Sequence, residues 1–134
     1  MKYLLETTSY SELVRGHPKV AEVVKEATTI LIPNVTIAEL NYGFRLGSRQ
    51  LENEKLLSKF LANRRVTVLL PDNATTDYFV NIAVYARKKG IQLSTHDIWI
   101  AALSEQWEAT LVTFDNDFKH LGYKDLKLLL LDKA

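Results

Sequence analysis

Short apolar segments alternate along the chain with longer segments whose apolar residues recur every three or four positions. The short segments are aliphatic or β-branched, which is typical of buried strands, and the longer ones are typical of amphipathic helices. The predicted strands are residues 2–5, 28–32, 66–70, 111–113 and 126–131, the last at an edge. The predicted helices are a short one from Ser9 or Ser11 to Val14, then about 18–27, 35–46, 50–63, 72–89 and one from residue 94 or 95, with a helical turn at 118–121.

This alternation predicts an α/β fold, a three-layer α/β/α sandwich around a mostly parallel sheet of about five strands with right-handed connections. The chain has 134 residues, of which 47% are hydrophobic, so we expect one domain spanning residues 1–134. In the helix at 50–63, Leu51, Leu57, Phe60 and Leu61 are expected to face the core.

Charge and cysteine content limit the possible chemistry. The 17 Lys and Arg against 16 Asp and Glu give a net charge of +1, so a nucleic-acid site would have to be local. The absence of cysteine excludes disulfides and thiolate metal sites, so a metal would need oxygen ligands or one of the three histidines. Without a signal peptide or an apolar run approaching about 20 residues, the chain is predicted to be soluble, cytoplasmic and free of membrane association.

Acidic residues lie at corresponding ends of the apolar segments. Glu6 and Asp115 each follow a predicted strand, Asp97 lies in the first turn of a predicted helix, and Glu39 lies about one turn inside another. Because the carboxyl ends of parallel strands share one edge of the sheet, all four carboxylates are expected to face one volume. Asp117 follows two residues after Asp115, in the stretch Thr110-Leu-Val-Thr-Phe-Asp115-Asn-Asp117-Phe.

Glu39 occupies an apolar side of its helix. At about 100° per residue, it falls within a second apolar stripe rather than among the polar positions, which predicts a semi-buried acid. The first stripe is Ile37, Leu40 and Phe44, and the second is Val35, Tyr42 and Leu46.

Gathered carboxylates repel each other strongly at low dielectric, and a bound divalent cation or a raised pKa relieves the repulsion. An all-oxygen site is suited to Mg²⁺ or Mn²⁺. Each acid also has a structural interpretation: Ser94 and Asp97 match a capping box, Asp115 or Asp117 can cap the turn at residue 118, and Glu6 and Glu39 can be solvated charges. The shared edge favours the functional interpretation, because capping alone does not require it.

Other polar residues give weaker signals. His96 adjoins Asp97 but is expected to face solvent. A phosphate-binding rim can be formed by basic residues near helix ends, although such residues are usually solvated. They are Arg15, Arg45, Arg49, Arg87, Lys88 and Lys119.

Four motifs, in this order and spacing, resemble the PIN-domain family and specifically the VapC-type toxins of toxin–antitoxin pairs. They are Leu4-Leu5-Glu6-Thr7, Val35-Thr-Ile-Ala-Glu39-Leu-Asn-Tyr-Gly43, Thr95-His-Asp97-Ile-Trp-Ile-Ala-Ala102 and Leu111-Val-Thr-Phe-Asp115-Asn-Asp-Phe118.

The resemblance implies an endoribonuclease that depends on Mg²⁺ or Mn²⁺ and cuts structured RNA at single-stranded loops. It implies Glu6, Glu39, Asp97 and Asp115 as catalytic acids, with Glu6, Asp97, Asp115 and Asp117 as metal ligands and Thr7 and Thr113 as polar supports. From the basic residues, Arg15, Arg45, Arg49 and Lys119 are taken as RNA contacts. The resemblance further implies a homodimer and a cognate VapB-type antitoxin.

The chain departs from the family pattern at one motif. The family ordinarily has aspartate at the position of Glu6 and asparagine at the position of Thr8. The extra methylene moves the carboxylate by about 1.5 Å, whereas Mg²⁺ requires near-ideal octahedral geometry at about 2.0–2.1 Å. We therefore expect weakened cleavage, a preference for Mn²⁺ or a water-mediated contact, whether the glutamate is natural or engineered.

Two alternative functions remain open. One is a PIN-like module that binds RNA or an antitoxin with little or no turnover. The other is a phosphatase of the haloacid-dehalogenase type, because Asp115-Asn-Asp117 follows a strand. Against the phosphatase, Lys119 follows Phe118 without the expected Thr or Val, and that family carries its aspartate pair after the first strand.

Overall fold

The chain alternates strands and helices, as a computed structural model of residues 1–123 and 126–133 shows. The elements are β1 Lys2–Leu5, α1 Thr7–Val14, α2 Pro18–Glu26, β2 Thr29–Pro33, α3 Asn34–Leu46, α4 Gln50–Leu61, β3 Val66–Leu69, α5 Asn73–Lys89, α6 Thr95–Gln106, β4 Thr110–Thr113 and β5 Lys127–Leu130. A 3₁₀ turn, Asn116–Phe118, lies between β4 and β5. Among the helices of these described residues, none has the length and apolar character needed to cross a bilayer.

The five strands form one all-parallel sheet in the order β3-β2-β1-β4-β5. The predicted α/β fold is therefore confirmed, and β5 lies at an edge as expected. The central strand β1 pairs with β2 on one side and with β4 on the other, where Leu5 lies opposite Val112. Glu6 and Thr113, the next residue on each strand, thus emerge side by side at the carboxyl edge.

Both faces of the sheet are covered, which is why its strands are apolar at consecutive positions. Leu4 packs in a core with residues of α5 and α6, including Ile82 and Ile100. Leu5, the next residue, points to the opposite face and packs with Ile30 and Val112. This alternation produces the layers of the predicted sandwich.

Most helix boundaries lie within two residues of the predictions, and two of the differences concern the carboxyl edge of the sheet. Helix α1 begins at Thr7 and is capped by Glu6 rather than by Ser9 or Ser11. The Glu6 carboxylate accepts the Ser9 N–H at 2.9 Å, and the Ser9 hydroxyl accepts the Glu6 N–H at 3.0 Å. Glutamate is not a preferred N-cap residue, so the sequence favoured the serines. The second difference is the turn after β4, which begins at Asn116 rather than at residue 118.

Helices α5 and α6 are joined by a polar contact between opposite ends. Asp72 caps α5 by accepting the Thr75 N–H at 3.1 Å, and the Thr75 hydroxyl donates to the Gln106 side chain at 2.6 Å. The Gln106 amide donates to Asp72 at 3.2 Å. Hydrogen bonds from Gln106 and Thr75 hold the pKa of Asp72 below its usual range. These bonds tie the last turn of α6 to the first turn of α5.

Helix α4 offers a matched test of the core, because it carries a buried and an exposed leucine. Leu57 is 2% exposed, but Leu51 is 76% exposed, so the prediction that Leu51 faces the core was wrong. We expect Leu57→Ala to lower the free energy of unfolding by about 2–5 kcal/mol and Leu51→Ala to change it by less than about 0.5 kcal/mol. Urea denaturation measures both, and equal losses would contradict this packing of α4.

Candidate active site

Three aspartates from two segments of the chain meet at the carboxyl edge of the sheet. Asp97 lies in the first turn of α6, Asp115 follows β4, and Asp117 lies in the 3₁₀ turn. One carboxylate oxygen of each lies within 4.8 Å of those of the other two. Asp97 and Asp115 are half-buried and Asp117 is exposed, so the group is open to solvent on one side.

Asp115 is positioned by one hydrogen bond from its backbone N–H and one to its carboxylate. Its N–H donates to the Thr113 hydroxyl at 3.0 Å, and its carboxylate accepts the Asp117 N–H at 2.9 Å. Asp115 therefore caps the 3₁₀ turn, as the structural interpretation proposed. The capping interaction and the aspartate group are compatible. The 3₁₀ turn in which Asp115 accepts the Asp117 N–H also places the Asp117 carboxylate near that of Asp115.

Asp97 is held at the start of α6 by the N-cap residue Ser94, whose hydroxyl accepts the Asp97 N–H at 3.1 Å. Burial raises the pKa of Asp97, and the negative charge of Asp115 raises it further. Hydrogen bonding from Ser94 and the charge of His96 act in the opposite direction. The direction of the shift shows that repulsion and desolvation outweigh the groups that stabilise the Asp97 anion.

Glu6 lies beside this group but does not belong to it. Its side chain is buried, with the residue 6% exposed, and one carboxylate oxygen accepts both the Ser9 N–H and the Thr8 hydroxyl. Burial raises the pKa of Glu6, while hydrogen bonds from Thr8, Ser9 and Thr113 oppose the shift. Of the four residues predicted as metal ligands, the structure thus gathers three and commits Glu6 to capping α1.

Thr8 connects Glu6 to the end of β4, and its role was not predicted from the sequence. Its hydroxyl donates to Glu6, accepts the Phe114 N–H at 2.9 Å and lies 3.3 Å from the Thr113 hydroxyl. The departure from asparagine at this position was the only sequence signal that could have found it. The Thr113 hydroxyl accepts the Asp115 N–H at 3.0 Å, and its supporting role stays a prediction.

Thr7 has a different environment from the other predicted support. Its hydroxyl is buried and has no hydrogen-bond partner among the described residues. A supporting role for Thr7 therefore stays a prediction, whereas Thr113 and Thr8 have defined contacts.

Glu39 is not among the gathered carboxylates but contacts His96, the residue before Asp97. Its carboxylate lies 3.5 Å from the His96 Nε2, and the side chains are 44% and 33% exposed, respectively. The prediction of a semi-buried Glu39 was wrong, because this residue is exposed, whereas His96 is half-buried and faces solvent in part. The second apolar stripe of α3 is exposed at its end, where Tyr42 and Leu46 lie, so Glu39 shares an open surface with them.

The donor set fits a hard divalent cation. Three carboxylates with convergent oxygens supply only oxygen ligands, which suit such an ion. Burial is the main cause of the raised pKa of Asp97, and a cation would offset the second cause, the negative charge of Asp115. Asp97, Asp115 and Asp117 thus form a centre that can hold a divalent cation, with Ser94 and Thr113 bonded to the backbones of two of them.

The predicted RNA contacts do not gather at the aspartates. Arg15 is nine residues beyond Glu6, or about 13 Å along α1, and forms an ion pair with Glu12 at 2.5 Å. Arg49 pairs with Glu52 just before α4 and, like Arg15, lines a separate cavity of about 310 Å³. Arg45 is exposed in the last turn of α3. Only Lys119 lies next to the group, two residues after Asp117.

Relatives of known name match the chain over most of its length. "Ribonuclease VapC2" of Rickettsia felis is 27% identical over 136 residues, covering 98% of this chain and 97% of that protein. "Ribonuclease VapC1" of Haemophilus influenzae is 29% identical over 120 residues, covering 84% of this chain and 86% of that protein.

Solved structures with the same fold support this match. The crystal structure of VapBC2 from Rickettsia felis bound to a promoter DNA fragment contains a chain with a TM-score of 0.84 and 26% identity, at coverages of 98% and 100%. VapBC-1 of nontypeable Haemophilus influenzae gives a TM-score of 0.80 at 24% identity, with coverages of 97% and 98%. The sequence profile of the PIN domain matches residues 3–124, and the chain therefore belongs to the PIN-domain family.

Proposed function

We propose that this protein is a metal-dependent endoribonuclease and the toxin of a toxin–antitoxin pair, working as a single domain. The observation that carries the proposal is the convergence of Asp97, Asp115 and Asp117 at the carboxyl edge. Relatives named ribonuclease VapC that match nearly the whole chain support RNA as the substrate class. The phosphodiester would enter from the exposed side of the group, where Asp117 lies.

The cation we assign to the site is Mg²⁺ or Mn²⁺, held by Asp97, Asp115 and Asp117. The chemistry that such an ion supplies when bound is Lewis acidity, which lowers the pKa of water and offsets charge on phosphate oxygens. Ser94 and Thr113 fix the backbones of Asp97 and Asp115 through single hydrogen bonds. Positioning of this kind lowers the entropic part of the barrier, because the ligands are held before the substrate arrives.

Glu39 is assigned as the group that accepts a proton from the attacking water. Its carboxylate is accessible, and His96 lies close enough to orient it without burying it. In the proposed step, a water oxygen bonds to phosphorus, the bond from phosphorus to the leaving ribose oxygen breaks, and solvent returns a proton to that oxygen. Glu6 has an indirect role in this proposal. Its carboxylate accepts the Thr8 hydroxyl, and Thr8 in turn accepts the Phe114 N–H, so these bonds hold α1 against the end of β4.

The proposed partners are an antitoxin of the VapB type and a second copy of this chain. Solved relatives described as VapBC complexes support the antitoxin. The exposed apolar side chains at the end of α3, Tyr42 and Leu46, are candidates for burial in one of these interfaces.

One specific observation favours a second function, a PIN-like module that binds RNA or antitoxin with little turnover. Glu6 uses its carboxylate to cap α1 and stands outside the aspartate group. A site with three gathered acids in place of four would still bind RNA or antitoxin but would cleave RNA more slowly. Membership of the PIN-domain family removes support for the haloacid-dehalogenase alternative.

The aspartate group gives the direct test of the proposed function. We expect Asp97→Asn and Asp115→Asn each to reduce cleavage of a mixed RNA pool by at least about 100-fold, because changes in residues that merely support metal ligands already reduce activity about 10- to 100-fold. The control variant is Asp77→Asn, which changes an exposed aspartate on α5 and should cleave like the parent. EDTA should abolish cleavage by the parent protein. Parent-like cleavage by both site variants would refute the proposal.

Glu6→Asp tests whether glutamate attenuates the enzyme. Aspartate is itself a preferred N-cap residue, so α1 keeps its cap while the carboxylate regains the length usual in the family. We expect a severalfold higher rate of cleavage in Mg²⁺, measured as single-turnover kinetics. A rate equal to or below that of the parent would show that the site has adapted to glutamate.

Glu6→Gln separates the charge of this residue from its capping role. Because the folded state raises the pKa of Glu6, ionisation of the parent destabilises the fold as pH rises from the ordinary value of 4.5 through the raised value. In EDTA, we expect the variant to have a higher Tm than the parent at pH 7 and an equal Tm below pH 4.5. Glu22→Gln, an exposed control on α2, should show no such difference; a lower Tm for Glu6→Gln at pH 7 would contradict the sign.

A further inference from the structure

A cleft of about 820 Å³ opens beside the aspartates, between the last turns of α5, the start of α6 and the 3₁₀ turn. Ligand sites commonly measure about 300–1,000 Å³. Gly90, with a φ of 71°, ends α5 in the left-handed conformation and lets residues 91–94 form one wall. Ile91, Leu93 and Ile98 give this wall an apolar surface, and Gln92 and Arg87 give it polar groups.

The cleft is continuous with the aspartate group. Asp117 belongs to the group and also lines the cleft. Ser94 lines the cleft and holds the backbone of Asp97. A second cavity of about 400 Å³ shares Gln92 and Asp117 with the first and adds Lys89. A chain bound across the aspartates would therefore pass directly into this cleft.

We propose that the cleft binds the nucleotide next to the scissile phosphodiester of a single-stranded RNA, and that Gln92 contacts its base. The proposal rests on the ribonuclease function proposed above. A base has apolar faces and an edge of donors and acceptors, which the aliphatic wall and the exposed Gln92 amide match. Arg87 supplies a fixed positive charge for the adjoining phosphate.

The side chains that line the cleft predict how it would distinguish one RNA base from another. The described residues that line the cleft include no aromatic side chain, so stacking contributes less here than it does on aromatic platforms. Discrimination then depends on the hydrogen bonds of the base edge, for which Gln92 has both a donor and an acceptor. Gln92 is a specificity residue in this scheme, and Arg87 is a binding residue.

The test compares the cut-site profiles of variants on a pool of single-stranded RNA with randomised sequence, read by sequencing the cleaved ends. We expect Gln92→Ala to reduce the base preference at one position beside the cut by about 3- to 10-fold, the value of one hydrogen bond. Arg87→Gln should raise KM about fivefold at unchanged kcat and preserve the profile, as loss of one phosphate contact does. Lys59→Gln, an exposed cation in the last turn of α4, is the matched control and should match the parent.

Three outcomes would overturn the inference: a parent with no base preference beside the cut, a Gln92→Ala profile identical to that of the parent, or an unchanged KM for Arg87→Gln. If Asp115→Asn is inactive in the same assay, these three outcomes overturn the cleft proposal but leave the proposed ribonuclease function standing. If no cleavage depends on Asp115, the proposed function fails, and the cleft is then judged by binding of labelled RNA hexamers. Equal affinity of the parent and both cleft variants for these hexamers would overturn the inference on its own.

Discussion

The parallel pairing of β1 with β4 is the constraint on which the site depends. The two strands are central and buried, and their register sets Leu5 opposite Val112, so the chain leaves both strands at the same level. Thr8 then bonds the first turn of α1 to the backbone of Phe114, which fixes the exit from β4. A one-residue change of register would turn each of these side chains to the opposite face of the sheet. The positions of Glu6, Thr113 and Asp115 thus follow from backbone hydrogen bonds between strands far apart in the sequence.

The site gathers like charges and stabilises them unequally. The backbone N–H groups of Asp115 and Asp97 each donate to a nearby hydroxyl, and the Asp115 carboxylate also accepts the Asp117 N–H. Glu6 also caps through its carboxylate, but it caps the longer helix α1, and the same oxygen accepts from Thr8. The raised pKa values of Glu6 and Asp97 have the same leading cause, burial, but only Asp97 also experiences the charge of Asp115. Two acids at one edge therefore have different surroundings: the Glu6 carboxylate caps a helix, whereas the Asp97 carboxylate converges with those of Asp115 and Asp117.

Sequence patterns were sufficient for the layers of the fold and for the edge on which the acids lie. Apolar runs at consecutive positions indicated strands buried on both faces, and parallel strands require a common carboxyl edge. Sequence patterns did not predict the individual side-chain contacts of two acids, Glu6 and Glu39. Glutamate is a poor N-cap in general, yet Glu6 caps α1 because Ser9 returns the hydrogen bond. Glu39 was placed on an apolar side of α3, but that side is exposed near Tyr42, so helical periodicity alone could not show its contact with His96.

Positive charge is distributed unevenly around the carboxyl edge of the sheet. RNA carries a phosphate charge at every nucleotide, and three aspartates repel it until a cation is present. Helices α1 and α3 both start at this edge, so Arg15 and Arg45, which lie in or just after their last turns, are far from the aspartates along the helix axes. Arg87 and Lys89 are different, because they line cavities that also contain Asp117. Under the proposed function, a strand of RNA at this edge would be attracted on the α5 side and repelled at the aspartates, and this difference would orient its phosphates.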